Sequence, residues 1–174
     1  MDIQILNWLN HHRILWLDPF IQFITDTAYV FAISVPIIIL IIGYIKKNKL
    51  IQFRAWFILI SIFWAEIIST ILKFSINRTR PFKVYPFIEK LTAGGSPSFP
   101  SGHTTDAFVL CCSIILVYKK WQFSIPVFVW AILVGYSRMA LGVHYPTDVL
   151  GGIAIGLSAP LMLKYFIPQY KNKI

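Results

Sequence analysis

Ser137-Arg138-Met139-Ala140-Leu141-Gly142-Val143-His144-Tyr145-Pro146-Thr147-Asp148 joins the end of one apolar segment to the start of the next. Its residue types suit a boundary rather than a span. Arg138 lies near the end of the first segment. Pro146 disfavours helix at Tyr145, which holds His144 off the helix, and then starts the next one. Asp148 falls in the first turn of that second helix, from where its carboxylate reaches back to one imidazole nitrogen. A carboxylate there fixes the histidine tautomer and leaves the other nitrogen aimed outward as a nucleophile. The plainer reading of Asp148 is a helix-start acid that complements the macrodipole.

The segments on either side of this turn are long enough to cross a membrane. About 20 mostly apolar residues span the hydrocarbon core, and residues 22–45, 51–76, 123–142 and 147–167 meet that length. Residues 102–118 form a shorter fifth segment. Residues 1–18 alternate Ile3, Ile5, Leu6, Trp8 and Leu9 with Asn7, Asn10, His11, His12 and Arg13, which predicts an amphipathic helix lying in the interface, with a sixth span as the alternative. The expected fold is an all-α integral-membrane helical bundle of five to six transmembrane helices including the N-terminal amphipathic or interfacial helix, with residues 1–174 forming one domain. Composition agrees: 57% of residues are apolar and 13% charged, against about 45–50% and 25% in soluble domains.

The net charge of +9 does not point to nucleic acid, because the basic residues sit at helix ends and in short loops instead of along one stripe. Lys46, Lys47, Lys49 and Arg54, then Lys119 and Lys120, then Lys171 and Lys173 fall on the same side of a five-span bundle. The positive-inside rule makes that side cytoplasmic and turns the loop 77–101 and the connection 143–146 outward. Arg78, Arg80, Lys83 and Lys90 lie on the outer side and weaken the bias, unless some of them serve phosphate. The N-terminus lacks an early basic region and a small-residue cleavage site, so it does not read as a signal peptide.

Two further segments carry polar groups to the same outer end. Lys73 closes the second span, and Arg80-Pro81 follows seven residues later. Pro100-Ser101-Gly102-His103 precedes an apolar helix, where glycine permits close backbone approach and the unpaired N–H groups of a helix start favour an anion. Each segment alone has a bland reading as a snorkelling lysine or ordinary helix-start chemistry. Together they bring Lys73, Arg80, Arg138, His103, His144 and Asp148 to one membrane surface, and charged groups at membrane depth usually mark function.

Lys73-x6-Arg80-Pro81, Pro100-Ser101-Gly102-His103 and Ser137-Arg138-x5-His144-x3-Asp148 resemble the three signature motifs of the type-2 phosphatidate phosphatase superfamily. That superfamily also includes bacterial acid phosphatases, glucose-6-phosphatase and vanadium haloperoxidases. The resemblance spans residues 73–148. It implies that His144 attacks phosphorus and carries a phosphohistidine, that Asp148 orients it, and that His103 protonates the leaving oxygen and then activates water. It implies that Lys73, Arg80, Ser101, the Gly102 backbone and Arg138 bind phosphate oxygens. Phosphoryl transfer needs mainly positioning and charge stabilisation, so a cation cluster can stand in place of a metal. No metal and no other cofactor is expected.

The implied substrate is a phosphate or diphosphate of a bacterial membrane lipid: undecaprenyl diphosphate, lipid A 1-phosphate, phosphatidylglycerophosphate or phosphatidate. The implied location is the bacterial inner membrane, with the bilayer as partner and the site on the periplasmic face. A lipid phosphotransferase with the same chemistry is the alternative. Asp106, three residues after His103, reads as a plain helix-start polar residue or as a partner for Lys73 or His103, and Glu66 as a candidate core hydrogen-bonding or substrate-access residue. Phe82, Tyr85, Phe87 and Phe99 are candidates for an acyl-chain entrance. Cys111 and Cys112 read as inert lipid- or core-facing thiols, and His11 and His12 as interfacial, non-catalytic residues.

Overall fold

The protein is known from a computed structural model that describes residues 1–95 and 97–166. Among the described residues, seven helices form it: α1 (Asp2–His11), α2 (Asp18–Ile45, preceded by a 3-10 turn at Leu15–Leu17), α3 (Lys49–Ile76), the one-turn α4 (Pro81–Val84), α5 (Gly102–Tyr118), α6 (Trp121–Ala140) and α7 (Pro146–Phe166). There is no strand among these residues. The helices α2, α3, α6 and α7 are long and apolar enough to cross a membrane, and α5 is a shorter apolar helix. The protein is an integral-membrane helical bundle.

α5 is the axis. It packs against α2, α3, α6 and α7, and every residue from Thr104 to Ser113 is buried. Seventeen residues rise about 26 Å at 1.5 Å per residue. That is short for a lipid-exposed span, but α5 is walled by protein. α7 comes closest to it: a Cβ on Gly152 would lie 2.7 Å from the Ser101 carbonyl oxygen, and one on Gly156 would lie 2.7 Å from Phe108 Cβ. Phe57 and Ile58 of α3, Leu110 and Val117 of α5 and Leu163 of α7 fill the half of the bundle away from the turn at residues 141–145.

α2 starts at Asp18, four residues earlier than its apolar run suggests, because Pro19 is preorganised for a first helical turn. α1 departs further from expectation. Its ten residues rise about 15 Å, too short to span, so the sixth-span alternative does not hold. Nor does α1 lie free in the headgroup layer. It docks on α6 and α7, burying Leu6 and Asn10 while Ile5 and Trp8 stay exposed. The polar stripe faces protein because the protein supplies partners. Asn10 Nδ2 donates to the carbonyls of Ala140 (2.8 Å) and Glu89 (3.1 Å), and its Oδ1 accepts from the Glu89 N–H at 2.9 Å. Arg13 pairs with Asp18 at 3.2 Å and Glu89 at 2.5 Å. His11 and His12 are exposed and turn back onto carbonyls of α1.

The loop 77–101 is thereby held against the α6–α7 turn. At Gly142 the backbone has φ +74°, and a Cβ would lie 2.1 Å from the Glu89 carbonyl oxygen. Only glycine satisfies both conditions.

Candidate active site

Three chain reversals deliver the polar groups to one end of the bundle. Lys73 lies in the last turn of α3. Asn77, left-handed at φ 46°, ends that helix and redirects the chain, so that Arg80 stands at the start of α4. Gly102 and His103 open α5, Arg138 lies in the last turn of α6, and His144 sits in the turn before α7. Lys73, Arg80, Gly102, His103, Arg138 and His144, with Ala93, Gly94 and Gly95 from the loop, line a cavity of about 230 Å³. Among the described residues the lining has three cations and no carboxylate, which is the composition of an anion site.

Neutral oxygens position each cation, and such bonds do not cancel its charge. Lys73 Nζ donates to the Pro100 carbonyl at 2.9 Å. Arg138 Nη1 donates to Thr25 Oγ1 of α2 at 2.7 Å, and Nη2 to the Ala93 carbonyl at 3.3 Å. Arg80 Nη1 donates to the Val143 carbonyl at 2.9 Å. Gly94 closes the cavity over Arg80, where a Cβ would come within 2.9 Å of Nη1.

The same Arg80 nitrogen lies 3.2 Å from His144 Nε2. A guanidinium has no acceptor, so in this contact Nε2 presents its lone pair and the ring proton is on Nδ1. Nδ1 faces Asp148 Oδ2 at 3.4 Å, longer than a normal hydrogen bond. Asp148 is completely buried. Its Oδ2 also accepts from Ser98 Oγ at 2.5 Å and the Tyr145 N–H at 2.9 Å, and its Oδ1 accepts from Arg78 Nη1 at 2.7 Å. Burial, with Arg80 and Arg138 nearby, pushes the His144 imidazole down to about 3, against the opposing pull of Asp148. His144 is therefore a neutral base with its lone pair at the cation cluster.

Residues 54–171 match the profile of the PAP2 superfamily. The chain belongs to the PAP2 superfamily. It is 28% identical over 152 residues to the undecaprenyl-diphosphatase BcrC of Bacillus subtilis, covering 87% of this chain and 75% of that one. Its fold superposes on Aquifex aeolicus LpxE with a TM-score of 0.77 at 27% identity, covering 94% of this chain and 95% of that one. It superposes on a PAP2-type phosphatidylglycerolphosphate phosphatase of Bacillus subtilis with a TM-score of 0.78 at 29% identity, covering 97% and 85%. This PAP2 protein is accordingly an enzyme, a membrane lipid phosphatase.

Of the residues singled out in the PAP2 motifs, Lys73, Arg80, Gly102, His103, Arg138 and His144 meet at the cavity, and Asp148 stands behind His144. Ser101 is placed differently. It is buried, its hydroxyl bonds Thr104 Oγ1 at 2.8 Å, and its N–H donates to the Asp148 carbonyl at 3.0 Å. Asp106 hydrogen-bonds Glu66 across α5 and α3, while Lys73 turns to Pro100. Phe82 and Tyr85 pack with Leu6 of α1, and Phe99 lies against Gly151. Thr25, Ala93, Gly94, Ser98 and Arg78 are contributors that motif spacing does not reveal. The adjacent Gly94-Gly95 is a local signal for close backbone approach. Among the described residues, no group of three His, Cys, Asp or Glu is placed to hold a metal ion.

Proposed function

We propose that this enzyme hydrolyses a terminal phosphate from a bacterial membrane lipid by way of a phosphohistidine on His144. The observation that carries the reading is the His144 Nε2 lone pair beside Arg80, in a cavity that also holds Lys73 and Arg138. In the first step Nε2 attacks phosphorus, the bond to the leaving oxygen breaks, and His103 gives that oxygen a proton. In the second step His103 takes a proton from water, the hydroxide oxygen bonds phosphorus, and the P–N bond breaks to release inorganic phosphate and His144. Lys73, Arg80, Arg138 and the Gly102 N–H hold the three non-bridging oxygens through both steps. Ser101 sets the start of α5 through Thr104. Asp148 supports the charge that builds on the His144 ring.

The favoured substrate is undecaprenyl diphosphate, because BcrC bears that activity in its name and matches over most of both chains. Lipid A 1-phosphate, phosphatidylglycerophosphate and phosphatidate are the other substrates to test. The deciding experiment is phosphate release by detergent-purified enzyme across these four lipids, with and without EDTA. Release from one lipid, undiminished by EDTA, is expected. No release from any, or a strict need for added Mg²⁺, would reject the reading. Phosphate transferred to an added lipid alcohol instead of water would favour the phosphotransferase alternative.

We further propose that the protein sits in the inner membrane with the cavity on the periplasmic side. The warrant is that Lys46, Lys47 and Lys49 share one end with Lys119 and Lys120; Lys171 and Lys173 lie outside the described residues. Single cysteines at exposed Lys83 and Lys120, in a background lacking Cys111 and Cys112, test this with an impermeant thiol reagent on intact spheroplasts. Labelling at position 83 alone is expected, and labelling at 120 alone would invert the topology.

A further inference from the structure

The N-terminal helix α1 lies before residues 54–171, which carry the PAP2 match, yet its first residue reaches the catalytic end. Asp2 Oδ2 accepts from Arg78 Nη2 at 2.7 Å and from Thr147 Oγ1 at 2.7 Å, and Oδ1 accepts from the Thr147 N–H at 3.1 Å. Thr147 is the second residue of α7, so its N–H is one of the helix-start donors with no partner inside the helix. Asp2 therefore caps α7 from another element, one residue before Asp148. Arg78 links the same pair again. It donates to Asp148 Oδ1 at 2.7 Å and to Thr147 Oγ1 at 2.6 Å, and its guanidinium lies 3.8 Å from the centre of the Tyr145 ring.

Resting on the phosphohistidine reading, we propose that Asp2 is a positioning residue for the Asp148–His144 pair, acting through Arg78 and the first turn of α7. Two effects combine. The first is geometric. Asp148 Oδ2 already serves Ser98 and the Tyr145 N–H, so the tilt of the carboxylate toward His144 is set by what holds Oδ1, and that is Arg78. The second is electrostatic. Asp2, Arg78, Asp148 and His144 alternate in sign once His144 carries developing positive charge. Asp2 offsets the pull of Arg78 on Asp148 and leaves the Asp148 charge available to the ring. Asp2 is absent from the cavity lining, so its loss acts on the chemical step and leaves phosphate binding alone.

The test uses the full-length enzyme in detergent with the lipid that the wild type hydrolyses. Asp2→Ala is expected to lower kcat by about tenfold to a hundredfold, with KM unchanged and a melting temperature near that of the wild type. Asp2→Asn retains an acceptor for Thr147 without the charge, and its kcat should fall between the two. In an Arg78→Ala background, Asp2→Ala should cost far less than it does alone, because the link it works through is gone. Wild-type kcat in Asp2→Ala would overturn the proposal. So would a loss carried by KM, or losses from Asp2→Ala and Arg78→Ala that simply multiply. His144→Ala runs beside these variants. Turnover by that variant would reject the phosphohistidine reading itself, an outcome distinct from an indifferent Asp2.

Discussion

The two ends of this bundle treat their charged residues in opposite ways. At the end formed by the turns at residues 46–48 and 119–120, Lys46, Lys47, Lys119 and Lys120 are all exposed. Local geometry completes those turns: Asn48 Oδ1 accepts from the N–H groups of Leu50 and Ile51, and Lys119 adopts a left-handed φ of 50°. At the other end Arg80, Arg138 and Asp148 are 5%, 2% and 0% exposed, and each is bonded to residues far away in sequence. The exposed charges stay in water, where they cost little. The charges at the cavity end are taken out of water, where their field is stronger and their desolvation must be offset by hydrogen bonds.

The sharpest test of this contrast removes one group from each end. His144→Ala is expected to lose essentially all phosphate release, at least a thousandfold, as when other nucleophiles of covalent hydrolases are removed. The double change Lys46→Ala with Lys47→Ala should leave kcat and KM within about twofold, since exposed charges contribute little. Both proteins should elute as folded particles in detergent. A comparable loss of turnover in the lysine variant would mean that the basic end takes part in the reaction.

A smaller effect separates the cavity wall from its charges. Gly94→Ala adds a methyl group 2.9 Å from Arg80 Nη1 and must displace the guanidinium. KM is expected to rise and kcat/KM to fall by about tenfold to a hundredfold, since displacements near 1 Å have that effect on well-positioned groups. Gly95→Ala is the control, because nothing lies within 4 Å of a Cβ there. Equal behaviour of the two variants would show that Arg80 is not pinned by this loop.

Sequence made one end of the molecule far more legible than the other elements around it. The cavity-lining Lys73, Arg80, His103, Arg138 and His144 stand out because a charged or titratable side chain at the end of an apolar run is costly to place there and contributes little to apolar packing. The spans are legible for the same reason, to within a few residues. α1 is not. Asn10 and Arg13 look like a solvated stripe until the Glu89 backbone and the Ala140 carbonyl are brought beside them by the loop 77–101. Thr25 and Ser98 are equally silent, since a single hydroxyl says nothing about an arginine 113 residues away or an aspartate 50 residues away. Asp106 misleads in the opposite direction: its spacing from His103 suggests the site, but its side chain turns to Glu66 of α3.

Burial of His144 also makes the site end sensitive to acid in a way the basic end is not. Its imidazole is pushed down from 6.5 to about 3 in the folded protein, first by burial and then by Arg80 and Arg138. Below pH 6.5 the unfolded chain takes up this proton and the folded protein does not. Stability should therefore fall as pH drops from about 6.5 toward 3 and be unaffected by this group above that window. Thermal unfolding in detergent at pH 7 and pH 4.5 measures it. His144→Gln, which cannot titrate, should lose less stability between those two values than the wild type does. Identical losses would indicate that the ring is protonated in the folded state.

The smallest expected effect lies at the basic end and concerns stability alone. Lys119 ends α5 in a left-handed conformation with φ 50°, which costs an ordinary L-residue about 1–2 kcal/mol and glycine almost nothing. Part of that gain is lost because glycine gives the unfolded chain about 0.5–1 kcal/mol of additional freedom. Lys119→Gly should thus stabilise the protein by about 0.5–1 kcal/mol, close to 2 °C in Tm for a chain of this size. Lys120 remains to mark the turn as basic, and the substitution lies at the opposite end of α5 from His103, so kcat and KM should not change. A stabilised variant with wild-type kinetics would show that the two ends of α5 are energetically separable. A fall in kcat would show instead that the central helix transmits strain from its solvated end to the turn that carries His103.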